Sequence, residues 1–341
     1  MTVANRSAAA KADGNRRPRS LAMGMALVVV GAVVALLTLE GTLRLVLEHY
    51  LNPFEPDAEL GYRLKPSFAG RYPWVSVRTD EEGYRVARRP GSSSGRKILF
   101  VGDSVTFGFG VEAQDAYPLR FGESIGRAAD VVNAAVPGYN LQQVLLTTER
   151  FLKRQTPEFI VYGLCLNDIS GAAAPATYAD IDPHRRRVDR GGVLSSSFLV
   201  SFVERRFDRL ARRFGPAAPA EEDVGPLLQN LSSPDLGESV RAFDHQWGEL
   251  QDLRRRTGIP IVVLILPYRQ QIVDHPDWRA PQEFLGRKCA DGEVRCLDPW
   301  SVLIEHKREP LYNGSSSMHF SPMGHRLIAA WLVNSMARAR N

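Results

Sequence analysis

Hydrophobic residues along the chain fall into two kinds of pattern. The first is one uncharged run, "LAMGMALVVVGAVVALLTL" at 21–39. Nineteen helical residues rise about 28 Å, close to the hydrocarbon thickness of a bilayer. The second is a series of short apolar runs rich in β-branched residues: "KILFV" (97–101), "DVVNAA" (130–135), "EFIVYGLCL" (158–166), "PIVVLIL" (260–266) and "EVRCL" (293–297). Between most of them the period changes to that of amphipathic helices, at 116–128, 141–154 and 238–257. In the last of these, Val240, Phe243, Trp247, Leu250 and Leu253 recur at helical spacing, and Gly258 suits the C-cap. Ser321 as N-cap and Pro322 at the first helical position open a final helix over 322–337. Strands apolar on both faces, alternating with helices, predict a parallel five-stranded sheet between helical layers, an α/β/α domain. No internal repeat interrupts it.

The remaining segments carry weaker patterns. Residues 41–54 read as a mixed helical stretch ending at Pro53, and 55–96, rich in Gly, Pro, Tyr and Arg, as irregular or short-strand structure. Residues 171–237 break the alternation with a loop-rich insertion. It holds one basic amphipathic helix near 197–214, with Phe198, Phe202, Phe207, Leu210 and Phe214 on its apolar side. A lid or substrate wall, a helix packed on the body, and a helix lying on lipid all fit that pattern. The expected organisation is a basic tail (1–20), a transmembrane segment (21–39), a juxtamembrane lead-in (40–96) and the α/β domain (97–337, with 171–237 inserted).

Charge sharpens the membrane reading and weakens another. The formal net charge of the 341 residues is +5. Arg6, Lys11, Arg16, Arg17 and Arg19 against Asp13 place +4 of it in the first twenty residues. The body is nearly neutral, which gives a nucleic-acid partner little support. Cations before the apolar run, with Glu40 after it, orient the N-terminus to the cytoplasm and the rest outside, periplasmic or at the cell surface. The run is long for a cleaved signal peptide and no A-x-A-like site follows, so an uncleaved signal anchor is the favoured reading. Of three cysteines, Cys165 lies in an apolar run as a core thiol. Cys289 and Cys296 flank a polar turn and are placed to pair in an oxidising compartment. No cysteine or histidine spacing suggests a zinc site.

Candidate chemistry gathers at the carboxyl ends of the strands, where open α/β sheets bind ligands. The first strand ends in "VGDSVTFG" with Ser104, the second in "VPGYN" with Gly138, the third in "GLCLNDIS" with Asn167. The fifth is followed by "GSSSMHFSPMGH" with His319. One edge thus collects a candidate nucleophile, two donors for an oxyanion and an imidazole. Asp103 reads as a turn-stabilising side chain, Asp168 as structural, and His325 as a packing or capping residue in the last helix.

In order and spacing, "GDS" (102–104), Gly138, "GLCLND" (163–168) and "MHFSPMGH" (318–325) resemble the SGNH hydrolase superfamily, the GDSL-type lipases and esterases. The likeness covers roughly residues 97–337. "GYRLKP" (61–66) and "TDEEGYR" (79–85) also look like the lead-in of its membrane-tethered members. The resemblance implies a flavodoxin-like three-layer fold and cleavage of carboxylic esters, commonly acyl or acetyl groups on lipids and glycans, with no metal or cofactor. It assigns Ser104 as nucleophile, the backbone N–H of Ser104 and Gly138 with the Asn167 side chain as oxyanion hole, and His319 as general base. An α/β-hydrolase reading is disfavoured, because "GDSVT" lacks the second glycine of a G-x-S-x-G elbow.

One expected group is missing. In the resembled family an aspartate at the position of Ser316 or Ser317 accepts the imidazole Nδ1–H. Replacing such an aspartate in a well-studied triad lowers kcat by roughly 10⁴, about 5 kcal/mol. Three readings stay open: a Ser104–His319 dyad oriented by Ser316 or a main-chain oxygen; a substitute carboxylate, with Asp298 the best candidate; or a site that binds glycan without hydrolysis. Acyl transfer to a sugar hydroxyl through the same serine is a further alternative to hydrolysis. The expected partners are an acylated glycan or lipid and the membrane.

Overall fold

The computed structural model describes residues 17–72, 74–87, 95–182, 191, 196–200, 202–203, 225–314 and 316–337. Most of the basic tail lies outside the described residues. So do Phe207, Leu210 and Phe214 of the expected insertion helix.

The apolar run forms the middle of a long helix, α1 (Arg17–Leu45), extended by a π-helical turn over Val46–Tyr50. It is long and apolar enough to cross a membrane, and its apolar window is not buried against the rest of the chain. Its far end is fastened to the domain. The Lys65 ammonium donates to the carbonyls of Glu48 at 2.7 Å and Asn52 at 2.9 Å, capping the helix end with a cation. At Glu40 the carboxylate accepts from the N–H groups of Phe198 and Leu199, at 2.8 and 2.9 Å, and from the Ser197 hydroxyl. That anchors the start of the insertion helix, whose Phe198 is buried.

Beyond a small β1–β2 hairpin (Phe54–Asp57, Gly61–Leu64) come β3 (Ala69–Arg71), β4 (Ser76–Thr79), β5 (Arg85–Val86), β6 (Ile98–Gly102), β7 (Val131–Asn133), β8 (Phe159–Cys165), β9 (Ile261–Leu266) and β10 (Arg295–Leu297). The last eight make one sheet in the order β10-β9-β8-β6-β7-β5-β4-β3. Its five strands from β10 to β7 are parallel and coincide with the five apolar runs. The expected five-stranded sheet is therefore corrected to a mixed one of eight. β5, β4 and β3 continue it in antiparallel fashion. They escape a search for apolar runs because they are two to four residues long. β4 also alternates exposed and buried positions, the mark of a strand covered on one face only.

Every residue of β6, β8 and β9 is buried. Around the sheet run α2 (Ser104–Phe107), α3 (Tyr117–Ser124), α4 (Leu141–Leu152), α5 (Asn167–Ser170), α6 (Gly237–Thr257), α7 (Ala280–Cys289), α8 (Trp300–Glu305) and α9 (Pro322–Ala337). α3 packs on α9, and α4 on α6. The starts and stops are chemically marked. Asn140 and Gln143 form a capping box at α4, and Gly258 ends α6 at φ 68°. A disulfide joins Cys289, at the end of α7, to Cys296 in β10, while Cys165 is a buried free thiol.

One side chain ties the antiparallel extension to the first parallel strand. Arg85, only 1 % exposed, donates from Nη1 to the Phe107 carbonyl and, at 2.7 Å, to that of Gly108, and from Nη2 to that of Val111 at 2.7 Å. Its guanidinium also lies 4.2 Å over the Phe107 ring. Carbonyls leaving the end of α2 have no helical partner, so a buried cation satisfies them where water cannot reach. Burial pulls the Arg85 pKa down to about 9, which leaves it charged at neutral pH. Arg85→Met, which keeps the apolar stem and removes the donors, is expected to cost about 3 kcal/mol, read as a Tm lowered by about 10 °C in thermal unfolding.

Candidate active site

Ser104 opens α2 immediately after the buried strand β6. Asp103 caps that turn, its carboxylate accepting from the Val105 N–H at 2.8 Å and from the Ser104 hydroxyl at a longer 3.4 Å. Two glycines make room for the turn. A Cβ on Gly102 would fall 2.5 Å from the Thr106 hydroxyl, and one on Gly163 only 2.0 Å from it. Asp103 is fully buried, and desolvation raises its carboxyl pKa to about 6.

The segment after β7 supplies the next group. Val136-Pro137-Gly138-Tyr139 is a tight turn closed by Tyr139 N–H to the Val136 carbonyl at 3.2 Å, with Gly138 at φ 85°. Proline followed by a glycine at positive φ is the type II arrangement. The Tyr62 hydroxyl, from β2, donates to the Pro137 carbonyl at 2.7 Å. In a trans peptide the carbonyl and the following N–H point oppositely. Holding the Pro137 oxygen on Tyr62 therefore aims the Gly138 N–H away from that ring. A Cβ at Gly138 would fall 2.6 Å from the same hydroxyl, so the position admits glycine on two counts.

Asn167 begins α5 at the end of β8, and its Nδ2 donates to Asp103 Oδ2 at 3.4 Å, next to Ser104. Asp168 beside it is buried and accepts from the Tyr162 hydroxyl at 2.6 Å, a structural bond.

The imidazole completes the cluster. His319 Nε2 lies 2.8 Å from Ser104 Oγ, and Nδ1 lies 3.0 Å from Ser316 Oγ. Ser316 Oγ also accepts the backbone N–H of His319 at 3.1 Å, which fixes the hydroxyl relative to the ring it faces. The Phe109 ring covers the imidazole at a centroid distance of 4.6 Å and a tilt of 32°. Among the described residues, no carboxylate partners His319. Asp298, the candidate for a substitute carboxylate, is engaged by other groups. Its oxygens accept from Arg279 at 3.0 Å and from the Trp300 N–H at 2.9 Å, the latter at the start of α8. Burial, with no opposing charge to offset it, lowers the His319 pKa to about 4. His325, fully buried, accepts the Tyr117 N–H on Nδ1 at 3.3 Å and belongs to the α3–α9 packing.

A hydroxyl aligned on an uncharged imidazole can pass its proton to that ring while attacking a carbonyl. Residues 100–327 match the model of the GDSL-like lipase/acylhydrolase family. The chain belongs to that family. No curated protein matches the sequence. Among solved structures, a protein described as a lipolytic member of the G-D-S-L family from Desulfitobacterium hafniense is 13 % identical at a TM-score of 0.42, covering 70 % of this chain and 99 % of its own. An acetylxylan esterase from Geobacillus stearothermophilus is 15 % identical, also at 0.42, covering 71 % and 94 %.

At the positions where the family resemblance expects a serine, a glycine, an asparagine and a histidine, this GDSL-like chain has Ser104, Gly138, Asn167 and His319, and it has serine at 316 and 317 where the acid is expected. The stretches "GYRLKP" and "TDEEGYR" are recognisable by resemblance, but nothing local in them marks a role for Tyr62 or Arg85. Nor did it single out Phe109, five residues past Ser104 in a glycine-rich stretch. If a hydroxyl alone stands behind the ring, histidine-labelled protein followed by NMR will show His319 neutral down to about pH 4. In Ser316→Asp the added carboxylate stabilises the imidazolium and moves that titration up by about 2 units or more.

Proposed function

We propose that this protein is a membrane-anchored, extracytoplasmic serine esterase that removes acyl or acetyl groups from envelope glycans or lipids. The observation that carries the reading is the 2.8 Å alignment of Ser104 Oγ on His319 Nε2, with Ser316 Oγ on the opposite nitrogen. Ser316 Oγ, accepting from Nδ1–H, holds the tautomer whose Nε2 lone pair faces Ser104. Ser104 Oγ attacks the ester carbonyl carbon as His319 Nε2 takes the hydroxyl proton. The backbone N–H groups of Ser104 and Gly138 and the Asn167 amide receive the developing oxyanion. His319 returns the proton to the departing alkoxide, leaving an acyl-Ser104. Water, deprotonated by the same nitrogen, then hydrolyses it.

Without the acid, the imidazolium formed in that step has only neutral partners. The Phe109 face offsets part of the loss, worth about 0.5–2 kcal/mol against roughly 5 for a triad carboxylate. Turnover is correspondingly modest. The location rests on three supports: the apolar helix, the cations ahead of it, and the Cys289–Cys296 disulfide, a bond kept in oxidising compartments.

A fluorophosphonate probe is expected to label wild-type protein and not Ser104→Ala; equal labelling of the two overturns the esterase reading in favour of a binding-only site. The competent base is neutral imidazole, so the limb of kcat/KM that belongs to His319 should lie near pH 4, below any limb that the Asp103 carboxyl contributes near pH 6. Ser316→Asp should raise turnover by about tenfold or more and carry the acid limb upward with the raised pKa of His319. Asp298→Asn, whose carboxylate is held by Arg279 and the Trp300 N–H, should leave both unchanged.

A further inference from the structure

Among the described residues outside the long N-terminal helix, Trp74 is the most exposed large apolar side chain, at 60 %. Its described neighbours are bonded to one another. The Tyr72 N–H donates to the Val75 carbonyl at 2.9 Å, the Trp74 carbonyl accepts from Arg71, and Val75 is buried beneath. The indole packs edge-to-face on Phe109 at 5.9 Å, and Phe109 lies 4.6 Å from the His319 ring. Trp74 is thus one aromatic ring removed from the proposed general base. A second group converges on the same spot. A Cβ on Gly110 would come 2.9 Å from Asn313 Nδ2 and 3.5 Å from the indole, so carboxamide and indole flank one glycine. Asn313 is fixed by its own N–H, which donates to the His319 carbonyl at 2.8 Å.

We propose that Trp74, with the Asn313 carboxamide beside it, is a platform on which a pyranose ring bearing the scissile ester stacks. The proposal rests on the esterase reading and names the substrate class for that site. A pyranose has one apolar C–H face and a rim of hydroxyls, which matches an open indole face edged by an amide. A long acyl chain gains most from enclosure in an apolar pocket, which an indole open to solvent does not provide. The side chain comes from the lead-in between β3 and β4, outside the residues that match the family model. It is a specificity element added to the common site and touches neither Ser104 nor His319.

The test uses full-length protein in detergent with two acetyl esters, methyl 6-O-acetyl-glucopyranoside, whose remaining ring hydroxyls are free, and vinyl acetate. The second is too small to span from Ser104 to the indole. In Trp74→Ala the ratio of kcat/KM for the sugar ester over vinyl acetate is expected to fall about tenfold or more, chiefly through KM, and Trp74→Phe to recover most of it. An unchanged ratio overturns the platform while leaving the esterase intact. So does a wild type that cleaves vinyl acetate and not the sugar ester. Cleavage of neither ester removes the esterase reading and the platform with it. Weaker partition of Trp74→Ala onto anionic vesicles at an unchanged ratio makes the indole a membrane-interface anchor and overturns the proposal.

Discussion

Three neighbouring parallel strands, β6, β8 and β9, have no residue facing water. Polar chemistry is excluded along their length, and the backbone groups freed where they stop must be satisfied by short helices and turns. The ends of β6 and β8, and of β7 beside them, carry polar devices: the Asp103 cap on α2, the start of α5 at Asn167 and the Val136–Tyr139 turn. The cluster at the sheet edge follows from that constraint. Its tightness comes from Gly102 and Gly163, which bring the Thr106 hydroxyl of α2 into the space a side chain would fill.

The same dryness sets the electrostatics. Burial pushes the carboxyl of Asp103 up and the imidazole of His319 down, so both lean toward their uncharged forms. A triad carboxylate would reverse this for the histidine. Here the Ser316 hydroxyl supplies direction and no charge, and the carboxylate of Asp298 is already neutralised by Arg279. The imidazole is therefore always in the basic form near neutral pH and always a weak base. Orientation and proton affinity, joined in one residue in the usual triad, are separated in this protein.

Legibility in the sequence followed the strength of local patterns. Five apolar runs became the five parallel strands, and the helices marked by a C-cap glycine or an N-terminal proline stood where those signals put them. β3, β4 and β5 were not legible, because a two-to-four-residue strand gains its stability from neighbours distant in sequence. At the site, Ser104, Gly138, Asn167 and His319 follow strand ends and could be placed by counting. The bond from Ser316 to His319 was legible as a possibility only, since a hydroxyl three residues upstream competes with main-chain oxygens. Arg85, Tyr62 and Phe109 act on partners 22, 75 and 210 residues away, and no local pattern encodes such contacts. Asp298 illustrates the converse. Its place after β10 was right for reaching the sheet edge, but Arg279 from the start of α7 claimed it first.

The lead-in joins the two ends of the molecule mechanically. Lys65 caps the end of the long helix, and Tyr62, three residues earlier, holds the Pro137 carbonyl and with it the plane of the Gly138 peptide. Tyr139 returns the contact, its hydroxyl donating to the Tyr62 carbonyl. Further along the same segment, Arg85 binds the carbonyls that follow α2, from which Phe109 reaches His319. A domain cut at the start of β6 would keep every residue drawn on in the proposed chemistry. It would lose the groups that hold the Gly138 turn and the Phe109 loop in place. The segment between helix and sheet is thus part of the site's framework, tied to the helix through Lys65 and to the site through Tyr62 and Arg85.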